Sequence, residues 1–573
     1  MTELRRLTQE WIDSDPDQRT REELSRLLSS NDLDELEDRM SSTLTFGTAG
    51  IRGVVEAGAN RMNRAVVIRT TAGLAAHLLA LTDTNERLVV IGRDARPSSE
   101  PFMTDAIGVL LAAGFRVRYF AAPTPTPLVA YAGLTMGACS SIVITASHNP
   151  PADNGYKVYD ETGIQIISPT DSLIAEQVSL VGAANRIPRA ADPFGHPESS
   201  AIGKDLFEDY LHDLSRSLPE VAGDRSLSIV YTAMHGVGGA FTTEALRRFG
   251  FTSVKPVARQ FAPDGLFPTL SFPNPEEPGA LDLAHELAEA TDADLVLAND
   301  PDADRIGVSV PDPGGVWRPL TGNQVGCLLA EFLLSNADHP SGHTVINSIV
   351  SSPLLAKIAA AHGATTDRTL TGFKWIWNAA LDLEEVGAGT LALGYEEALG
   401  YSVGTTVRDK DGISAALAFS LMAADAMANG QTVLDLLGNL HRKYGVAVSH
   451  QVSIRMEGTD GPELIEAAMT ALRNGPPNVI AGRPVVAVTD FRENAADRPR
   501  YLPATNLIEL DLGSAGRALA RPSGTEPKLK IYVDLNEPFP ESGDWMGAQA
   551  ALVSEANDTG EALASWMRDA IER

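Results

Sequence analysis

Three carboxylates at alternate positions, Asp300, Asp302 and Asp304, form the most chemically loaded spacing in the chain. They follow the apolar run ADLVLAN directly, which reads as a buried strand opening into a loop. In an extended loop, carboxylates at i, i+2 and i+4 can converge on one hard cation, which prefers oxygen ligands. Without a cation they repel one another. A helix-loop-helix calcium site would need Gly at the sixth loop position and Glu at the twelfth, where this chain has Arg305 and Pro311. A phosphatase of the Asp-x-Asp nucleophile type fits the third carboxylate and Arg305 poorly. A second constellation is Thr145-Ala146-Ser147-His148-Asn149-Pro150, followed by Asn154-Gly155-Tyr156-Lys157. Ser147 ends an apolar run and is placed for exposure in a cleft. The imidazole of His148, the amide of Asn149 and the ammonium of Lys157 are close enough in sequence to tune it. No Gly-x-Ser-x-Gly elbow surrounds it, which disfavours an acyl-transferring hydrolase. The alternative is a plain turn marked by Asn-Pro and Asn-Gly.

The elements that must position these groups follow a recurring pattern of apolar run, polar loop and helical segment. It appears at 88–98, 227–239 and 343–353 and predicts α/β domains with largely parallel sheets. A second set of strands, in 141–157, 293–305 and 389–401, runs straight into loops dense in functional groups. Ligands of open α/β sheets collect beyond the carboxyl ends of strands. Three such ends predict three related domains, each lending one loop to a shared cleft. Residues 1–40 read as a charged helical lead-in with an apolar stripe at Leu24, Leu27, Leu28, Leu33 and Leu36. From about 445 the pattern changes to strands such as LIELDL and KLKIYVDL around a Gly-rich loop, predicting a smaller α+β domain.

Composition narrows the partners. The 573 residues carry 75 acidic and 46 basic side chains, a formal charge of -29. That disfavours nucleic acid and anionic membranes, which need clustered Lys and Arg, so any phosphate site must be built from particular residues. The N-terminus lacks the apolar core of a signal peptide, and no run approaches the ~18 apolar residues of a span. Cys139 and Cys327 have no Cys-x-x-Cys spacing and read as buried free thiols in a reducing cytoplasm.

Five motifs in one order then carry a resemblance: FGTAGIRG (46–53), TASHNP (145–150), DPDADR (300–305), GYEEALGY (394–401) and RPSGTEPK (521–528). The chain resembles the α-D-phosphohexomutase superfamily over nearly everything after residue 40. TGFKW (371–375) and the glutamate loop look nearest the long phosphoglucomutase/phosphopentomutase branch. The resemblance implies three similar mixed or parallel α/β domains and a C-terminal α+β domain around a central cleft. Its implied boundaries are a helical extension 1–40, domain I 41–205 with the serine loop, and domain II 206–318 with the metal loop. Domain III would be 319–444 with the sugar-binding loop, and domain IV 445–573 with the phosphate-binding loop.

It also implies roles. Ser147 would carry a phosphoryl group, and Asp300, Asp302 and Asp304 would hold Mg²⁺ with a phosphoserine oxygen as a further ligand. Arg52 would help activate the seryl phosphate, Lys410 would be a general acid/base, and His148 and Lys157 would flank the serine. Arg305 would join the substrate contacts, Glu396 would meet sugar hydroxyls, and Thr371 would line the same cleft. Arg521, Ser523, Gly524, Thr525 and Lys528 would grip the phosphate that is not reacting; an arginine among hydroxyl and backbone donors is a plausible anion nest. Arg93 and Arg96, in GRDAR, read as structural, and so does His235.

The expected reaction is glucose 1-phosphate to glucose 6-phosphate through a bisphosphate, primed by glucose 1,6-bisphosphate, with phosphomannomutase and phosphopentomutase as alternatives. Many hexose-specific relatives carry a serine where this chain has Ala398, which relaxes the expected hexose preference. A Mg²⁺-dependent sugar phosphatase and a non-catalytic phosphosugar-binding protein are the readings from other classes.

Overall fold

The computed structural model describes residues 2–44, 46, 47, 50–81, 83, 87–221, 225–456, 461–523 and 528–572. The chain divides into two compact units, 1–320 with 399–424, and 321–398 with 425–573.

The first unit opens on three helices, Thr2–Ser14, Gln18–Ser30 and Leu33–Met40. Asp17 caps the second through the N–H of Arg19, Asn31 ends it in the left-handed conformation, and Asp32 caps the third. The predicted apolar stripe is therefore broken between Leu28 and Leu33. Leu24 and Leu36 are buried and cluster with Ile12, Met40, Ala57 and Ala59.

Two sheets follow. The first has the lateral order Ile51–Val54, Asp153–Tyr159, Ser140–Ile144, Leu88–Arg93, Arg116–Tyr119, Ser199–Ala201. Its middle strands are parallel, whereas Asp153–Tyr159 runs antiparallel to both of its neighbours. The second has the order Trp317–Pro319, Ile306–Pro311, Leu295–Asn299, Ile229–Thr232, Val254–Pro256, again with a parallel centre and antiparallel returns. Val89, Val90, Ile91, Ile142, Val143 and Ile144 are wholly buried, each worth about 1.5–3 kcal/mol over exposure. Helix Arg64–Leu81 is long and apolar enough to cross a membrane, against the sequence expectation. Most of it is buried, with Val67 and Leu74 packed in the core beneath the first sheet.

In the second unit, His343–Ser348 pairs in parallel with both Thr365–Thr369 and Thr390–Glu396. The same local arrangement thus occurs three times, since each loop-bearing strand (140–144, 295–299, 390–396) lies parallel beside the first strand of the recurring pattern. The final part is a five-stranded antiparallel sheet, Val446–Arg455, Lys528–Glu537, Gly516–Pro522, Ile508–Asp511, Ala487–Asp490. Helices Gly461–Asn474 and Trp545–Glu572 bury Leu472, Leu552 and Leu563 against it. The architecture is α/β with a C-terminal α+β domain, as expected. Cys139 and Cys327 are buried free thiols.

Candidate active site

Strand Ser140–Ile144 delivers Thr145 and Ser147 to a sharp turn. The N–H of Ser147 donates to Thr145 Oγ1 at 2.8 Å, and that of Asn149 to the Ala146 carbonyl at 3.1 Å. Ser147 has φ +50°, so the turn needs the left-handed region. Arg96 sets the outer face of this loop. Its guanidinium is 1% exposed and donates to the carbonyls of Ser147 (2.8 Å), Asn149 (2.7 Å), Pro150 (2.6 Å) and Asp153 (2.8 Å), with its Nε on Asp94 at 3.1 Å. The Asn154-Gly155 pair is no turn; it lies within strand Asp153–Tyr159. A Cβ on Gly155 would stand 2.5 Å from the Thr145 carbonyl and 3.0 Å from that of Ile51, so glycine lets three strands close together.

The aspartates arrive from strand Leu295–Asn299. Buried Asn299 receives Tyr231 and Thr242 at 2.8 Å each and donates to the Arg305 carbonyl at 2.7 Å, folding the loop back on itself. Ala303 at φ +58° makes the reversal, and the N–H of Arg305 donates to Asp300 Oδ1 at 3.0 Å.

These two loops meet. Ser147 Oγ donates to Asp300 Oδ2 at 2.8 Å and lies 3.1 Å from His148 Nδ1. Lys157 Nζ donates to Asp302 Oδ2 at 2.8 Å and Asp304 Oδ2 at 2.9 Å. Thr126 Oγ1 donates to Asp302 at 2.7 Å. Lys410 Nζ lies 3.4 Å from Asp304 and from Asp409, and Asp409 in turn receives Tyr159 and Gln165. Arg52, exposed on strand Ile51–Val54, donates to Asn149 Oδ1 at 2.8 Å, and Arg305 Nε stands 3.9 Å from Asp304 Oδ1.

Electrostatics separates the carboxylates. Burial, then the charges of Asp302 and Asp304, pushes Asp300 well above the usual carboxylate range. Burial pushes Asp302 the same way, but Lys157 and the hydrogen bonds outweigh it and hold that group low. Burial likewise opposes the charge on Lys157, and Asp302 and Asp304 more than restore it. Burial, with Arg305 and Arg52, keeps His148 neutral.

The residues fit a hard divalent cation. One oxygen from each of the three aspartates lies within 4.8 Å of the others, and all three side chains are buried. Asp302 Oδ1 and Asp304 Oδ1 are buried and accept no hydrogen bond among the described residues. Such orphaned carboxylate oxygens are costly unless a cation takes them.

In the second unit, Arg521 Nη1 donates to Thr371 Oγ1 at 2.6 Å, and the N–H of Gly372 donates to Glu396 Oε1 at 2.6 Å. Three of the expected substrate residues are thus gathered by one TGF turn. The N–H of Ser523 donates to the Lys528 carbonyl at 2.7 Å, closing the base of the predicted phosphate loop. Gly524 and Thr525 lie outside the described residues. Neighbouring Glu397 turns away and accepts Ser348 and Ser351 at 3.0 Å each.

Sequence reasoning missed Thr126 and Asn299, and it gave Arg96 a general structural role. The signal for Arg96 was available, since GRDAR sets a charged pair directly after a wholly buried strand. Thr126 has no pattern of its own. His235 Nε2 lies 2.8 Å from Thr269 Oγ1.

Four consecutive family models match the chain: phosphoglucomutase/phosphomannomutase α/β/α domain I over residues 43–182, domain II over 208–315, domain III over 321–444, and the C-terminal domain over 485–536. A protein of Haemophilus influenzae named "Probable phosphomannomutase" is 40% identical over 84% of this chain and 95% of its own. The human phosphopentomutase is 34% identical over 93% and 91%. The solved open form of Paramecium pp63/parafusin, a phosphoglucomutase, superposes with a TM-score of 0.67 at 18% identity, covering 91% of this chain and 95% of that one. Fold and matches together define a phosphotransferase isomerase, a mutase acting on sugar phosphates. The chain belongs to the phosphoglucomutase/phosphomannomutase family.

Proposed function

We propose that this mutase interconverts glucose 1-phosphate and glucose 6-phosphate, with Ser147 as the phosphoryl carrier. The supporting observation is the Ser147 hydroxyl held 2.8 Å from Asp300, among three buried carboxylates, buried Lys157 and partly buried Lys410. A free sugar hydroxyl attacks the phosphorus of phosphorylated Ser147. The new P–O bond forms as the bond to Ser147 Oγ breaks, giving a bisphosphate and a bare serine. Lys410 takes the proton of the attacking hydroxyl and hands it on to the departing Ser147 oxygen, and Asp304 and Asp409 beside it stabilise the intervening ammonium. The bisphosphate reorients, its other phosphate returns to Ser147 Oγ, and the proton goes back to the sugar oxygen. Phosphoryl transfer of this kind is mainly positioning and charge neutralisation. Mg²⁺ on Asp300, Asp302 and Asp304 would supply that neutralisation.

Around this centre we assign Arg52, His148, Lys157 and Arg305 to the seryl phosphate. Thr371 and Glu396 meet the sugar; Arg521, Ser523, Gly524, Thr525 and Lys528 hold the distant phosphate, and glucose 1,6-bisphosphate primes the serine. The boundaries 1–40, 41–205, 206–318, 319–444 and 445–573 are proposed for the extension and four domains, and each family match falls within one of them. Two cysteines outside any disulfide favour a reducing cytoplasm.

A second reading, ribose 1-phosphate to ribose 5-phosphate, is favoured by Ala398, which lacks a hydroxyl for the hexose, and by the near full-length match to a phosphopentomutase. The test is turnover of glucose 1-, mannose 1- and ribose 1-phosphates with Mg²⁺ and catalytic glucose 1,6-bisphosphate, for wild type and Ser147→Ala. A leading glucose rate and a dead mutant are expected. A leading ribose rate replaces the substrate and keeps the chemistry; an active Ser147→Ala removes the mechanism.

A further inference from the structure

We infer that the seam between the first helix and helix Arg64–Leu81 is a binding site for a phosphate dianion, free or at the head of a small ester. A pocket of about 140 Å³ opens there. Trp11 and Ser14 line it from the first helix, Arg69 from helix Arg64–Leu81, and the 182–184 backbone from the loop beyond helix Thr170–Leu180. None of these residues belongs to the serine–aspartate cluster.

Arg69 stands out by what it lacks. Among the described residues no carboxylate lies within ion-pair distance of it, although the chain carries 75 acidic side chains. Five positions earlier on the same helix, Arg64 pairs with Asp105 at 2.7 Å; Arg39 and Arg61, in the same unit, each hold two or more carboxylates. Arg69 has one long bond, Nη2 to the Val181 carbonyl at 3.4 Å, and its Cζ stands 5.8 Å from the Trp11 ring centre. Among the described residues its Nε is buried without a hydrogen-bond partner, and so is the indole N–H of Trp11. The amides of Gly182 and Ala183 make no backbone hydrogen bond among the described residues. A half-buried guanidinium, an indole N–H and two chain amides are all donors, with no acceptor charge among them. Burying such a cation alone is unfavourable, and an anion with several acceptor oxygens would meet the charge of the pocket-lining guanidinium.

The pocket is roomy enough for a phosphoryl head, being well above the roughly 10–15 Å³ that admits one water. Asn185 donates to the Asp13 carbonyl at 2.9 Å, so the loop and the first helix already touch beside the pocket. An occupant would tie the N-terminal helices to the first sheet.

The experiment is equilibrium dialysis of the full chain with labelled orthophosphate, comparing wild type with Arg69→Gln so that phosphate held elsewhere cancels. Wild type should retain one more equivalent per chain, glucose 6-phosphate should compete for it if esters enter, and Arg69→Lys should keep it with weakened affinity. Equal retention by wild type and Arg69→Gln overturns the site. A readout independent of that variant is tryptophan emission, which orthophosphate should shift in wild type and not in Trp11→Phe. An identical response in both, or none in wild type, also overturns it. Competition by glucose 6-phosphate marks ester heads as ligands; its failure, with the orthophosphate equivalent intact, confines the site to the free ion.

Discussion

Replacing Arg96 by Gln should disable the mutase without touching any group that meets the substrate. Four carbonyls of the serine loop converge on this one guanidinium at 2.6–2.8 Å, and its carboxylate partner Asp94 is 2% exposed. Hydrogen bonds from a charged donor contribute about 1.5–3 kcal/mol each, but they share one side chain and do not add. Breaking a buried ion pair by removing one partner costs about 3–5 kcal/mol, and the loop should lose that much. At 1.4 kcal/mol per tenfold, amides of the segment 147–155 should exchange with solvent roughly two to four decades faster, while protection in strand Leu88–Arg93 changes less. Ser147 then loses its fixed approach, and displacements of about 1 Å cost on the order of 10²-fold in rate. Kinetics and hydrogen exchange on the same preparation read both effects. Arg93→Gln is the control: Arg93 pairs with Glu100, itself 65% exposed, and its loss should cost no more than about fivefold. Unchanged exchange at 147–155 in Arg96→Gln, or activity equal to that of the control, would refute the claim that Arg96 sets the serine loop.

Adding a hydroxyl by Ala398→Ser should shift preference toward hexose over pentose phosphates by roughly 2- to 10-fold, the worth of one hydrogen bond; the ratio of kcat/KM values measures it, and an unchanged ratio discards Ala398 as a specificity position. Chelation by EDTA should abolish turnover and Mg²⁺ restore it, whereas Asp302→Asn should stay inactive with excess Mg²⁺. Glu331 concerns stability. Burial raises its pKa, but hydrogen bonds from Lys443, Tyr444 and His362 outweigh burial and hold it below 4.5. A depressed carboxylate contributes stability that is complete above its unfolded value and is lost as pH falls through the folded one. Glu331→Gln should therefore flatten the acid limb of the unfolding profile below about pH 4.5, and a limb as steep as that of wild type would contradict the pairing.

Much of this was legible in the chain because fully buried parallel strands read as unbroken apolar runs. SSIVI and LVLAN both became wholly buried strands ending at their chemistry. The triad was legible because alternate carboxylates have few other uses, and structure brought Ser147, Lys157 and Lys410 to it. What sequence hid was mostly long-range pairing. Thr126 reaches Asp302 across 176 residues, and nothing near TPTP marks it. Asn-Gly misled in the other direction, because glycine that permits a turn also permits close strands, and here the Thr145 carbonyl claims the space. The helical lead-in was visible as helix, but its breaks depend on Asp17, Asn31 and Asp32 acting as caps, which weigh little against a periodic leucine stripe.

The positive φ of Ser147 restricts which alcohol can stand at the end of its strand. Threonine offers the same hydroxyl chemistry, yet a β-branched side chain is strained in the left-handed region. Exchange of the two residues, usually mild, should here remove folding of the loop before any question of reactivity arises. Asn and Asp tolerate that conformation better, so an aspartate at this position would keep the turn and set a fourth carboxyl against Asp300, where burial and like charge favour a shared proton. A resting form of the protein, with its backbone intact and its phosphoryl carrier replaced, is therefore a single substitution away, while the chemically nearest substitute is barred by geometry alone.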